Sequence, residues 1–219
     1  MGADMIATGH YARIIKLPDG RYAVSNAASA SKDQTYVLYR LTQEQLGRTI
    51  MPLGEYEKAD IRRIAAEAGM PVADKSDSQE ICFIPDNDYA SFVKQYTGVD
   101  MPKGNFVNIN GDVLGEHKGL LHYTVGQRRG LQLPMGHRVF VKELRPDTNE
   151  VVIAENEDMF TSEVKADRLS FMGIGDFNDG EEFTGRIRYG HRGTKCRLFR
   201  TGEDEITAFF DEPVRAATP

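Results

Sequence analysis

The stretch DIRRIAAEAGMP, residues 60 to 71, has the clearest helical pattern in this chain, and one further helix is predicted at about residues 88–96 before the β-rich part begins. Its apolar side chains recur at the spacing of one helical face, at Ile61, Ile64, Ala65 and Ala68. Gly69 and Pro71 end the predicted helix, because glycine adopts a left-handed cap readily and proline cannot continue a helix. After Gly98 the chain changes to short apolar runs separated by Gly, Asn and Asp. Helices followed by strands predict an α+β protein with more than one domain.

The N-terminal segment has the pattern of the end of an α/β sheet. MIATGH, residues 5 to 10, reads as the last residues of a buried strand followed by a glycine turn. Residues 11 to 17 and 21 to 25 then alternate polar and apolar side chains around Pro18-Asp19-Gly20, which predicts a β-hairpin. From Lys32 to Gly69 the spacing of apolar residues is helical.

Three segments are predicted along the chain. Residues 1–50 form the end of an α/β domain, residues 51–150 a small mixed α/β central domain, and residues 151–219 an incomplete antiparallel β-barrel. The barrel strands are predicted at residues 166–172, 183–189, 195–200 and 206–211. Because the barrel lacks its last strand in this interpretation, we expect an unpaired strand edge beside residues 206–210.

The composition is typical of a globular protein. The 219 residues include 27 Lys and Arg against 33 Asp and Glu, a formal net charge of −6, which argues against polyanion binding by the whole surface. The two cysteines are far apart, and neither they nor the five histidines have metal-ligand spacing, so we predict no metal site and a reducing compartment. No apolar run is long enough to span a membrane, and the first residues lack a basic leader, which favours a cytoplasmic protein.

Positive charge is concentrated in the stretch RIRYGHRGTKCRLFR, residues 186 to 200, which we call the basic strip. It carries six Lys and Arg side chains and no acidic residue, namely Arg186, Arg188, Arg192, Lys195, Arg197 and Arg200. A local strip of this kind suits a partner with phosphates at defined positions. A solvated strand face with alternating charges explains it equally well.

Cys82 is the one candidate nucleophile of its type. It follows SDSQE, residues 76 to 80, where a polar loop enters an apolar segment. A thiol near its ordinary pKa of about 8.5 is only slightly ionised at neutral pH, so a buried, inert cysteine is the simpler explanation on chemistry alone. Cys196 has the pattern of a small buried side chain in a strand. The run HYTVGQRRGL, residues 122 to 131, could present backbone N–H groups and guanidinium groups to a phosphate or base, or could be only a stabilised turn.

Five blocks of sequence together resemble the family of bacterial tRNA-specific 2-thiouridylases. They occur in the family's order and cover nearly the whole chain. The blocks are ATGHYARI at 7–14, SKDQTYVLYRL at 31–41, MPLGEYEKADIRRIAAEAGMPVADKSDSQEICFI at 51–84, GDVLGEHKGLLHYTVGQRRGL at 111–131 and RIRYGHRGTKCRLF at 186–199.

The resemblance implies an ATP-dependent transferase that replaces the 2-oxygen of the wobble uridine of tRNA with sulfur. It implies an α/β domain of the adenine-nucleotide hydrolase type at the N-terminal end. Cys82 matches the catalytic cysteine that carries a persulfide, and Gly9 matches a backbone contact to ATP. The positions that match tRNA contacts are His10, Lys32, Asp33, Gln34, Arg188 and Tyr189. Arginine meets phosphate bidentately and tyrosine stacks on unpaired bases, which agrees with the composition of the basic strip.

The resemblance also implies that the chain is a fragment. The family's Ser-Gly-Gly-Val-Asp-Ser-type pyrophosphatase loop and second catalytic cysteine have no counterpart in these 219 residues, and the chain stops at Ala217-Thr218-Pro219, where the family continues. We therefore expect ATP to be a co-substrate of the intact enzyme, with none bound by this chain. The expected partners are tRNA and a sulfur-relay protein or cysteine desulfurase, with no membrane. The alternative is a tRNA-binding or interaction module without catalysis.

Overall fold

The computed structural model describes residues 2–71, 84, 88–99 and 101–218. The strands in these ranges are β1 (Ile6–Ala7), β2 (Ala12–Lys16), β3 (Tyr22–Asn26), β4 (Thr49–Ile50), β5 (Gly104–Val107), β6 (Val113–His117), β7 (Phe140–Arg145), β8 (Glu150–Ala154), β9 (Phe160–Asp167), β10 (Glu181–Gly185), β11 (Thr194–Gly202) and β12 (Glu205–Arg215). The α-helices are α1 (Gln43–Gly47), α2 (Lys58–Glu67) and α3 (Tyr89–Thr97), and short 3-10 helices occupy Thr35–Leu38, Pro52–Glu55, Leu120–His122 and Glu157–Met159. Within the described ranges, no helix is long and apolar enough to cross a membrane.

The described residues form two compact units. Unit 1 contains the residues up to position 71 together with Val164–Asp211, and unit 2 contains the residues from position 84 to Glu163 together with those after Asp211. The predicted domain boundaries at positions 50 and 150 follow the order of the sequence, whereas the contacts group the C-terminal strands with the N-terminal residues. Those boundaries stay a prediction.

The first residues of unit 1 form a small parallel pair of strands. β1 and β4 pair in parallel, with Ile6 opposite Thr49 and Ala7 opposite Ile50. Parallel strands need a long connection, and here it contains the β2–β3 hairpin and α1. The hairpin predicted around Pro18-Asp19-Gly20 is confirmed, and Gly20 has the positive φ of +88° that its turn requires. Ala12, Leu38 and Met51 are buried together beneath these elements.

Two helices of unit 1 have clear sequence determinants. Thr42 and Gln45 form a reciprocal capping box at the start of α1. The predicted helix within residues 60–69 is confirmed as α2, after which Gly69 has a φ of +68°. Its apolar face remains largely open, since α2 buries no residue fully and Ile64 is 41% exposed.

Unit 2 is built on a four-stranded sheet in the order β6-β5-β8-β7. β8 lies inside this sheet and has the sequence EVVIA. Its four successive apolar residues are all buried, as expected for a strand that is covered on both faces. It pairs in parallel with β5 and antiparallel with β7. The core against this sheet consists of Phe106, Tyr123, Leu131, Val139, Val141, Val151 and Ile153. The Asn110-Gly111 turn lies between β5 and β6, and Gly111 has a φ of +91°.

A second four-stranded sheet follows in the order β10-β11-β12-β9. Neither four-stranded sheet closes into a barrel within the described residues. The expectation of an unpaired edge beside residues 206–210 is wrong, because these residues belong to β12, which lies between β11 and β9. The predicted strand at residues 183–189 is shorter than expected, since β10 ends at Gly185.

Candidate functional site

Gly9 and His10 lie in the loop that leaves β1. The amide N–H of Thr8 donates to the carbonyl oxygen of Ile50 at 3.0 Å, and the Thr8 hydroxyl lies 2.9 Å from Nδ1 of His10. Gly9 is exposed, and a Cβ atom there would meet only Leu53 at an ordinary distance of 3.7 Å. The loop therefore presents the backbone of Gly9 and the half-buried imidazole of His10 at the carboxyl end of a parallel strand, where ligands bind in open α/β sheets.

Two backbone-directed hydrogen bonds fix Gln34 beside this loop. The amide N–H of Tyr11 donates to Oε1 of Gln34 at 2.9 Å, and the amide N–H of Gln34 donates to the carbonyl oxygen of Tyr11 at 2.9 Å. His10 immediately precedes Tyr11, so the two sequence blocks that contain His10 and Gln34 are adjacent in space. The side-chain NH₂ group of Gln34 makes no hydrogen bond to another described residue and can donate to a ligand.

Asp33 holds the same loop in shape. Its Oδ2 accepts from the amide N–H of Ala27 at 2.9 Å, and its Oδ1 accepts from the hydroxyl of Thr35 at 2.5 Å and from the amide of Thr35 at 3.2 Å. A carboxylate used in this way has little capacity left for an outside donor. Asp33 therefore acts on the shape of the loop that carries Lys32 and Gln34.

A cluster of positive charge surrounds Lys32. Lys58 and Arg62 follow one another at i, i+4 on one face of α2, and Ser29 anchors the start of that helix by donating its hydroxyl to Oε2 of Glu57 at 2.6 Å. Desolvation, together with the charges of Lys32 and Arg62, lowers the pKa of Lys58 from its ordinary value. Sequence reasoning missed Lys58 and Arg62, because two basic residues on an amphipathic helix look like an ordinary solvated face.

Arg188 and Tyr189 lie in a tight turn after β10, residues 188–191, which we call the Arg188 turn. The amide N–H of His191 donates to the carbonyl oxygen of Arg188 at 3.1 Å. The amide N–H of Ile187 donates to Nδ1 of His191 at 3.4 Å, and Nε2 of His191 lies 3.3 Å from the hydroxyl of Thr194. The Arg188 guanidinium has no hydrogen bond or ion pair within the described part of the chain, and Tyr189 is 58% exposed. Both side chains are presented to solvent.

The basic strip divides into paired and unpaired charges. Lys195 donates to Glu182 at 2.8 Å across β10 and β11. Arg200 pairs with Asp176 at 2.6 Å and lies over the ring of Phe177. The other four guanidinium groups make no ion pair to a described residue, and they belong to Arg186, Arg188, Arg192 and Arg197. The interpretation as a solvated strand face with alternating charges accounts for Lys195 and Arg200, and in part for Arg197, which lies opposite Glu182 in the sheet. It leaves Arg186, Arg188 and Arg192 without an acidic partner among the described residues.

Of the two cysteines, the structure describes only Cys196. Cys196 is 1% exposed within β11, opposite Phe183 and Phe210, and its thiol is free. Burial raises the pKa of the Cys196 thiol, so it remains protonated and unreactive, as the sequence predicted. Cys82 lies outside the described residues. The described residues contain no group of three or more His, Cys, Asp or Glu suited to a metal ion.

Two family models match adjoining parts of the chain. The tRNA methyl transferase HUP domain matches residues 1–86, and the tRNA methyl transferase PRC-barrel domain matches residues 90–155. Among curated proteins, the tRNA-specific 2-thiouridylase MnmA of Lachnoclostridium phytofermentans is 54% identical over 219 residues, which is 100% of this chain and 61% of that protein. Over all of its 219 residues the chain is similar to tRNA-specific 2-thiouridylases.

Further members of the family match over the same extent. The proteins of the same name from Clostridioides difficile and Carboxydothermus hydrogenoformans are 45% and 44% identical, again over 100% of this chain. The chain spans about three fifths of the length of these relatives, 60% to 61%. The family's HUP model covers β1 to α2 and the position of Cys82, while its PRC-barrel model covers α3 and the sheet formed by β5 to β8.

Proposed function

We propose that this chain is the part of a tRNA 2-thiouridylase that carries the sulfur-bearing cysteine and much of the tRNA-contacting surface. The intact enzyme would use ATP to replace the 2-oxygen of the wobble uridine with sulfur in the cytoplasm. The observation that carries the proposal is the 54% identity over all 219 residues to a relative named as a tRNA-specific 2-thiouridylase. The family models bear the name of a methyl transferase, but the cysteine block SQEIC favours sulfur chemistry.

The proposed chemistry begins with activation of the uridine. Its 2-oxygen attacks the α-phosphorus of ATP and becomes adenylated while pyrophosphate leaves, which turns a poor leaving group into a good one. The terminal sulfur of a persulfide on Cys82 then attacks C2, a sulfur–carbon bond forms, and AMP leaves with the former 2-oxygen. A second thiol then attacks the sulfur of Cys82, which forms a disulfide with Cys82, breaks the sulfur–sulfur bond to the substrate and releases the 2-thiouridine. A persulfide is more acidic than a plain thiol, so Cys82 would be reactive at neutral pH even beside Asp77 and Glu80.

The proposed roles of the other residues follow their geometry. The exposed backbone of Gly9 would contact ATP, and His10, Lys32 and the NH₂ group of Gln34 would contact tRNA. Asp33 would contribute by holding the loop of Lys32 and Gln34, since its carboxylate is already used within the protein. Lys58 and Arg62 would extend this positive surface, because an anionic backbone relieves the repulsion between like charges.

Arg188 and Tyr189 would form a second contact, with the guanidinium on a phosphate and the ring on a base. An antiparallel β-barrel completed by a longer chain remains part of the proposal, and a sulfur-relay protein or cysteine desulfurase would supply the sulfur. The alternative function is tRNA binding without catalysis, which the four unpaired arginines of the basic strip would also support.

A sulfur-loading experiment on Cys82 distinguishes sulfur transfer from tRNA binding without catalysis. After incubation with a cysteine desulfurase, its relay and labelled cysteine, we expect the label on Cys82 by mass spectrometry. The Cys82→Ser variant should keep its fold and lose the label, since a hydroxyl cannot carry a transferable sulfur. Cys196→Ser is the matched control and should still be labelled, because the Cys196 thiol is buried. Label found mainly on Cys196, or none on a folded chain, would leave tRNA binding alone as the function.

A further inference from the structure

The loop of residues 124–131 in unit 2, which we call the Arg128 loop, is fixed by its own hydrogen bonds. The amide N–H of Thr124 donates to Oε1 of Gln127, and Nε2 of Gln127 donates to the carbonyl oxygen of Arg129, both at 2.9 Å. The backbone of the loop is also tied to β7, because the amide of Gly126 donates to the carbonyl of Val141 at 2.7 Å and the amide of Val141 donates to the carbonyl of Gln127 at 2.9 Å. Gln127 therefore uses both ends of its amide to hold the loop rigid.

This loop borders an open pocket of about 260 Å³ that lies entirely within unit 2. The buried side chains of Leu131 and Val139, both part of the unit's core, form its apolar floor together with Leu133. Arg128 and Arg138 line the same pocket from opposite ends of the segment.

The guanidinium groups around the pocket have no carboxylate partner among the described residues. Arg128, Arg129 and Arg138 are exposed and make no hydrogen bond or ion pair to a residue in the described ranges. The adjacent carboxylate of Glu155 is already engaged by Nε2 of His137 at 2.6 Å. Several guanidinium groups on a preorganised loop, without carboxylate partners, form a site for an oxyanion. The apolar floor beside them suits the face of a sugar or base.

We propose that the Arg128 loop and Arg138 form a binding site for the phosphate backbone of the RNA substrate, separate from the contacts at Lys32 and Arg188. This inference rests on the proposed function, because it takes its polyanion to be tRNA. An acidic protein surface is the other polyanion that could fit. The RNA is favoured because bidentate guanidinium contacts to phosphate combine with an apolar wall for the nucleoside, which a carboxylate-bearing peptide does not need.

The test compares tRNA affinity and its salt dependence for the 219-residue chain and the double variant Arg128→Gln/Arg138→Gln. Loss of two phosphate contacts should raise the Kd by about tenfold or more at low salt and reduce the slope of log K against log salt by roughly 2. Arg145→Gln is the matched control, since this arginine lies in the same unit but pairs with Glu143 and Glu150. It should leave affinity and slope unchanged.

A second variant distinguishes loop geometry from charge. Gln127→Ala keeps every arginine but removes the two side-chain hydrogen bonds that fix the loop. It should raise the Kd for tRNA while the melting temperature stays close to that of the parent. Unchanged Kd and slope in the double variant would overturn the proposal, as would retained tRNA binding accompanied by lost binding of poly-glutamate. If the parent chain itself binds no tRNA, the proposed function fails, whatever the variants do.

Discussion

At the scale of single residues, the loop of residues 32–34 contains side-chain atoms that hold its backbone in shape and others that are available to a ligand. Asp33 satisfies two backbone amides and the Thr35 hydroxyl, and Gln34 uses its carbonyl oxygen on Tyr11 while its NH₂ group stays available. A short polar sequence can therefore be required at every position although only part of it reaches a ligand. The motif predicted three tRNA contacts from the resemblance, but which atoms are already used depends on Ala27 and Tyr11, which the motif does not contain.

Arg188 tests the second proposed contact. Replacing it with alanine should weaken tRNA binding by about 1–3 kcal/mol and reduce the salt slope by roughly 1, because an unpaired guanidinium on a turn is free to meet a phosphate. The measurement is a titration of tRNA by fluorescence anisotropy at several salt concentrations. Arg48→Ala is the control, since Arg48 is also exposed but pairs with Glu44. Equal losses in both variants would mean that only general positive charge matters.

At the scale of elements, α2 combines a predictable structure with an unpredicted role. Its stop signal and apolar spacing are visible between residues 60 and 69, so the helix could be predicted, whereas its start at Lys58 lies two residues before the predicted start at Asp60. The proximity of Lys58 to Lys32 could not, because it depends on contacts such as Ser29 with Glu57, which join residues far apart in sequence. The early end of β10 has a local cause instead, because the amide N–H of Ile187 donates to the ring of His191 and the strand ends before residue 189.

The charge cluster on α2 predicts a loss of binding without a loss of folding. Lys58→Gln/Arg62→Gln should lower tRNA affinity, since two contacts to the backbone are lost. The protein should stay folded, because desolvation and the repulsion from Lys32 and Arg62, which together lower the pKa of Lys58, are both removed with its charge. Arg63→Gln on the same helix should leave tRNA affinity unchanged, because Arg63 is engaged with Asp60 and Glu67. A double variant with parental affinity would remove α2 from the interface.

The contact between β2 and the 3-10 helix Pro52–Glu55 predicts one position that tolerates only glycine. A Cβ atom at Gly54 would overlap the carbonyl oxygen of Ala12, which is backbone and cannot turn aside. Gly54→Ala should therefore lower the free energy of unfolding by about 1–3 kcal/mol, as overpacking usually does. Gly173→Ala is the matched control in the same unit, since its Cβ atom would meet nothing within 4 Å. Chemical denaturation of both variants measures the difference.

At the scale of the whole chain, an acidic protein carries its positive charge in a few defined places. The net charge of −6 makes nonspecific attraction to RNA weak, so the proposed RNA binding would depend on the basic strip, the cluster at Lys32 and the Arg128 loop. The overall α+β class and the β-rich second half could be predicted from local patterns. The grouping of residues 164–211 with the N-terminal residues could not, because strand pairing and packing across such separations have no local signal.

The sequence of the chain also predicts its affinity for ATP. Phosphate groups bind where a glycine-rich loop and a helix N-terminus offer several backbone N–H groups, and no Ser-Gly-Gly-Val-Asp-Ser stretch occurs in these 219 residues. Gly9 alone offers one backbone position. Isothermal titration calorimetry should therefore detect no stoichiometric micromolar site for ATP on this chain. A site of that affinity would mean that the phosphates are held by residues to which we assign other roles.

The position of β10 in its sheet also determines how the surface around Arg188 responds to thermal opening. In the order β10-β11-β12-β9, β12 has neighbours on both sides, whereas β10 has one neighbour within the described residues. Amide hydrogens in a doubly flanked strand exchange with solvent only when much of the sheet separates, while an outer strand can detach by itself at a lower free energy. The Arg188 turn follows this outer strand, so its amides and those of β10 should exchange well before those of β12. Bound RNA would slow that exchange locally, and Arg188 is thus carried next to a strand that can open without the rest of the sheet.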